Sequence, residues 1–253
     1  MKVLLYILLS MTVFTTELAA ETIRITSGEW EPYMSKDIHE YGLDSHIVTE
    51  AFRLEGIDVQ WGFFPWQRAY ENARDMNDWD ASCCWWPDDE TKSEFIVGTA
   101  ITETSFVFYH LKSYKLDWDS LQDLEGIKIG VTTKYHYGNE FMDAIEAKKL
   151  NVEYTPKDKF NYRKLLAGRI DIFPNDPAVG KAQIRNNLSP DEANLLTYHS
   201  KKFGNSTLHL IISKNHKRNK YFLDKFNAGL KKLKSSGRYK QMLDDLATGK
   251  YDL

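Results

Sequence analysis

Glu29, His136 and Asp176 are the side chains in this sequence best placed for acid/base work. Such a group must stand within hydrogen-bond reach of the proton it moves. No Ser/His/Asp order, metal-ligand spacing or glycine-rich phosphate loop accompanies them, so recognition of a charged solute is the simpler use. Asp176, with Asn175 beside it, follows a strand expected over residues 170–173, and α/β sheets bind ligands off the C-terminal ends of their strands. The competing role for Asp176 is to cap a helix opening at Pro177 and Ala178.

Aromatic residues form the second group. They make up 13% of the chain, with seven Trp, and aromatics beyond the needs of a core line binding surfaces. Trp85 and Trp86 close a predicted strand, where two indoles would narrow a pocket or fold over a sugar-like, cyclic or peptide ligand. Trp66 and Arg68 open a helix behind Pro65, whose fixed φ suits that position. Tyr135 and His136 stand in the turn before a helix beginning at Asn139, where unpaired N–H groups face outward. For His136 the competing role is that of an ordinary surface histidine. Cys83 and Cys84 are adjacent and closable only into a strained ring. They are expected to be two thiols on opposite faces of a buried strand, since no further Cys/His cluster offers metal ligands.

These residues need a scaffold. The chain has 253 residues, 42% of them hydrophobic, enough for one large domain or two small ones without disulfide staples. Its 33 basic against 36 acidic residues leave a net charge of -3, which argues against nucleic acid as a partner. Residues 1–20 have the charged start, short apolar run and small-residue exit of a cleaved secretory signal peptide, so the mature chain is expected outside the cytoplasmic membrane.

From residue 22 onward the pattern reads strand, helix, strand, helix, strand, which is the mark of a mostly parallel α/β sheet. The helix in this run is expected to be capped by Ser45 and closed by Gly56. The order then restarts: strands over 104–109, 127–131, 152–155 and 170–173 alternate with helices over 139–147 and 162–167. A polar stretch around 189–200 separates these from a strand over 207–213 and two closing helices. No flexible tether or repeat divides the two units, and clefts between such units are where small ligands bind.

Several segments occur in a telling order: Glu29-Trp30-Glu31-Pro32-Tyr33, Phe64-Pro65-Trp66-Gln67-Arg68-Ala69, Asp80-Ala81, Glu90-Thr91-Lys92, 123–131, Tyr135-His136-Tyr137-Gly138, 166–171 with Asn175-Asp176, and Ser236-Gly237-Arg238-Tyr239. Together they resemble the family 3 extracellular solute-binding proteins, the periplasmic amino-acid-binding type of ABC transport systems, across residues 21–249. The resemblance implies an α/β, two-lobed periplasmic binding protein type II (Venus-flytrap) fold with two hinge-crossing strands, through 104–110 and 206–212. Lobe 1 would comprise 21–106 plus 209–253, and lobe 2 residues 107–208.

The resemblance also implies roles. Asp176 takes the position of the carboxylate that pairs with a ligand ammonium, and Trp30 and Tyr33 that of an aromatic stacked on the ligand, with core packing as their alternative. Lys92 stands where the family has an Arg gripping the ligand carboxylate; Lys offers a point charge instead of a fork, and its alternative is a solvated surface charge. Pro87 replaces a hydroxyl and cannot donate even its backbone N–H. Tyr135 and His136 occupy a lobe-2 loop that contacts ligand. The implied protein is no enzyme and uses no cofactor. It would be a monomer that captures a small polar solute for an inner-membrane ABC permease or a membrane sensor. A dehydratase-like enzyme on the same scaffold and a solute-responsive signalling protein are the alternatives.

Overall fold

The computed structural model describes residues 21–133 and 135–251, and the segment 1–20 that the sequence suggests is a signal peptide lies outside them. β1 (Glu21–Ser27) is flanked by parallel β2 (Ile57–Phe63) and β3 (Ala81–Trp85), and β3 pairs antiparallel with β9 (Phe203–Ser213). The first connection carries α1 (Leu43–Arg53) and the second α2 (Trp66–Arg74), whose buried Ala69, Tyr70 and Ala73 lie one helical turn apart.

α1 begins three residues earlier than the Ser45 cap predicts, with Gly42 at the cap position. The carbonyls of Pro32 and Tyr33 accept the N–H groups of Leu43 and Asp44, so the preceding loop terminates the helix and Ser45 lies buried inside it.

The element that joins the two halves is β4 (Phe95–Leu111), a 17-residue strand of which only the second part was legible in the sequence. It pairs with β9 from Phe95 to Phe106 and then with β7 (Phe173–Asn175) and β8 (Leu196–Tyr198). Its early residue Ile101 packs in one apolar core with Ile23, Phe52 and Leu210. Its later residues Phe106 and Phe108 pack in another with Ile129 and Phe141. β9 makes the reverse journey, from Phe203 in the second core to Leu208 and Ile212 in the first. Two antiparallel strands therefore cross between two lobes.

The second lobe adds parallel β5 (Lys128–Thr132) and β6 (Asn151–Thr155), with α4 (Asn139–Glu146), α5 (Asp158–Leu166) and α6 (Pro177–Asn187) around them. The stretch around 189–200, read as polar connection, contains α7 (Pro190–Asn194), capped by Ser189, and β8. α3 (Asp89–Glu94) is a short helix between β3 and β4.

α8 (Asn219–Ser235) returns to the first lobe and buries Phe222, Phe226, Leu230 and Leu233 beside α1, each such side chain contributing about 1.5–3 kcal/mol. Gly229 permits this approach, because a Cβ there would lie 1.8 Å from the Ala51 carbonyl oxygen. α9 (Arg238–Ala247) closes the chain behind Gly237, whose φ of 81° suits glycine.

One expectation about the cysteines is overturned. Cys83 and Cys84 are joined in a disulfide. Regular alternation would separate the two sulfurs, but Cys84 has a φ of 72° and the β3–β9 register slips between Cys83 and Trp85, so the two side chains are not on opposite faces of a regular strand.

Candidate functional site

Where the lobes meet, Asp176 is the central side chain. It is only 3% exposed, although it is a carboxylate. The sequence offered it as either cap or ligand-facing acid, and the cap is formed. Its side chain caps α6 by accepting from the N–H groups of Ala178 (2.8 Å) and Val179 (3.2 Å). The same carboxylate accepts the Tyr33 hydroxyl at 3.2 Å from across the lobes. Burial raises its pKa above the ordinary carboxylate range, against the lowering effect of those hydrogen bonds.

Tyr33 is buried too, and Trp30 stacks on it at 5.1 Å between ring centroids. The Trp30 Nε1 is sealed from water and has no acceptor among the described residues. A second bridge runs from Asn186 to the Glu31 carboxylate at 3.0 Å. A third is aromatic: Trp86, at the end of β3, meets the His136 ring edge-on at 4.5 Å and packs on the second core together with Tyr135. Trp85 turns the other way. Its Nε1 donates to Ser82 at 2.6 Å, and its ring meets Trp66 and Tyr70 edge-on within the first lobe.

Asn175 lies behind Asp176. Its Oδ1 accepts the Asp176 backbone N–H at 2.9 Å and its Nδ2 donates to Tyr162 at 3.0 Å and to Asp158 at 3.5 Å. Asp158 is a second buried carboxylate at this edge, held by Thr132 and by Gln183 (2.9 Å), with its pKa raised by burial. A third is Asp44 at the start of α1, fully buried, bonded to the Thr102 hydroxyl at 2.9 Å. Burial pushes Asp44 up to about 8, and Asp176 adds to the rise. Among the described residues none of the three carboxylates pairs with a lysine or arginine. Asp158 and Asp44 escaped the sequence reading. Asp158 follows a strand end, as Asp176 does, so the same positional rule would have found it; nothing local marks Asp44.

Of the sequence candidates, then, Trp30, Tyr33, Trp86, Tyr135, His136, Asn175 and Asp176 are gathered at the lobe junction. Trp66 and Trp85 back it from within the first lobe, the Trp66 ring lying over Gly28, where a Cβ would come within 2.2 Å. Glu29 is exposed in the loop before Trp30. Lys92 is not brought in: its side chain is 58% exposed and pairs with Asp89 on its own short helix at 3.9 Å. Such exposed pairs contribute about 0–1 kcal/mol. Lys92→Ala is therefore expected to change affinity for any solute by less than about 0.5 kcal/mol in a titration; a tenfold loss would return Lys92 to the site.

Solved structures share this architecture. An amino acid ABC transporter substrate-binding protein of Streptococcus pneumoniae, bound to L-arginine, is 15% identical, with a TM-score of 0.69 over 92% of this chain and 97% of the other. An arginine-, lysine-, histidine-binding protein of Geobacillus stearothermophilus is 20% identical, with a TM-score of 0.68 over 89% and 95%. A histidine kinase sensor domain with similarity to periplasmic binding proteins is 15% identical, with a TM-score of 0.71 over 90% and 96%. The chain has the two-lobed type II periplasmic binding protein fold. No family model and no curated protein matches the sequence.

Proposed function

We propose that this protein is a periplasmic solute-binding protein that closes its lobes, 21–106 plus 209–253 and 107–208, around a small polar solute bearing a protonated amine, an amino acid or a related compound. It then presents the solute, chemically unchanged, to an ABC-type permease of the inner membrane. The observation that carries this reading is Asp176, a buried carboxylate with no basic partner among the described residues, standing on one lobe and bonded to an aromatic loop of the other. An ammonium there pairs two opposite charges where the Tyr33 hydroxyl supplies only an uncharged donor. The stacked faces of Trp30 and Tyr33 suit the cation.

The unpaired Trp30 N–H adds a donor, so the solute should carry an oxygen as well as the amine. Closure follows from these contacts because both lobes meet the solute only when shut. Lys92 lies outside and Pro87 donates nothing, so the amine is the group held most firmly. The likeness to the histidine kinase sensor domain supports a second reading, in which the closed form is read by a membrane sensor.

The test is mass spectrometry of solute released from the exported protein by denaturation, followed by titration of the emptied protein with amino acids, with amines lacking a carboxylate, and with neutral sugars. Binding confined to neutral or anionic solutes, or turnover of the bound compound, would defeat the proposal.

A further inference from the structure

We propose that the Cys83–Cys84 disulfide is a positioning device for the aromatic residues at the mouth of the cleft: it holds a bulge in β3, and the bulge decides which way Trp85 and Trp86 point. The pairing of β3 with β9 shows the bulge. Ser82 lies opposite Ile211, Cys83 opposite Leu210 and Trp85 opposite His209, so Cys84 is an extra residue with no partner of its own. Its φ of 72° lies in the left-handed region. Bulges with a left-handed residue at this point normally use glycine, because a side chain there is disfavoured by its own Cβ. Cys84 has a Cβ, but its sulfur is tied to Cys83. The covalent link supplies the conformational bias that glycine supplies elsewhere.

The consequence for the wall follows from the two-residue period of a strand. Removing the extra residue advances the pairing by one and exchanges the faces taken by every later side chain. At present Trp85 points into the first lobe, against Trp66, Tyr70 and the Ser82 hydroxyl. Trp86 points to the second lobe, edge-on to His136. Without the bulge the two indoles would trade places. The cysteines themselves are buried, at 0% and 4% exposure, and act through the tryptophans.

The proposal is independent of which solute is bound, and so is its test. Alkylation of the denatured, unreduced wild-type protein should add no label to either cysteine; double labelling overturns the proposal at once. The Cys83→Ala/Cys84→Ala protein should lose the near-ultraviolet circular dichroism of the Trp86–His136 contact, and its Trp86 should become more open to acrylamide quenching, read as the difference from a Trp86→Phe derivative. Cys83→Ala/Cys84→Gly, which restores left-handed freedom without sulfur, should recover the wild-type signal. A wild-type spectrum from the Ala/Ala protein, or an Ala/Gly protein that folds yet stays altered, overturns the idea. Failure of both to fold also overturns it, since the bond would then serve general stability.

Discussion

Replacing Asp176 with Asn is expected to cost about 2–5 kcal/mol of affinity for an amine solute, the usual loss when one partner of a buried charge pair is truncated. Asparagine keeps the size and the cap, since it is as good an N-cap as Asp and its oxygen still accepts from Ala178 and Val179. Asp176→Ala would lose the cap as well, at about 1 kcal/mol of stability, and is the less clean variant. Because a buried charge is removed, the melting temperature of the Asn protein should not fall. Calorimetric titration of both proteins gives the answer, and equal affinities would remove Asp176 from recognition.

The pH dependence has a fixed sign. The carboxyl must be ionised to hold an ammonium, and burial has raised its pKa. Affinity should therefore fall as pH falls, beginning at a higher pH than an exposed aspartate would show. A pH-independent affinity across the acidic range would contradict this.

The second large effect concerns stability. Asp44 keeps its proton in the fold up to about 8, whereas its ordinary value is 3.8. Below pH about 4 both folded and unfolded chains hold the proton, and Asp44 contributes no slope. Between those two values only the unfolded chain has lost it, so the fold becomes less stable as pH rises, by up to about 1.4 kcal/mol per unit. Above about 8 the effect is constant.

Asp44→Asn should abolish that slope and stabilise the protein at pH 8 by several kcal/mol, on the order of 3 to 5. The Thr102 hydroxyl retains an acceptor in the variant. Denaturant unfolding of both proteins at pH 5 and pH 8 measures the difference directly. Parallel loss in the two proteins between those pH values would show that Asp44 is not the titrating group.

Much of the site was legible because it obeys local rules. Asn175 ends a strand and Asp176 follows it directly before a Pro-Ala helix start, and Trp30 and Tyr33 sit in the loop after the first strand. Other parts were not. Lys92 occupies a position that suggests an anion grip, but whether a lysine reaches a cleft depends on where its short helix lies, and α3 turns it to solvent. The cysteines were read as a regular strand because alternation is the default, and a single left-handed residue breaks it. β4 was seen only in its second half, since pairing with β9 over Phe95–Phe106 is a long-range event with several register slips.

By itself the amino-acid order determined two α/β units, their strand ends rich in acids and aromatics, and the run of helices that encloses them, because hydrophobic period and turn residues act over a few positions. Only the tertiary structure decided which acids are cut off from water: Asp44, Asp158 and Asp176 are common residue types until packing from distant segments seals them. Burial, and with it the chemistry of a carboxylate, belongs to the assembled surfaces and not to the neighbours along the chain.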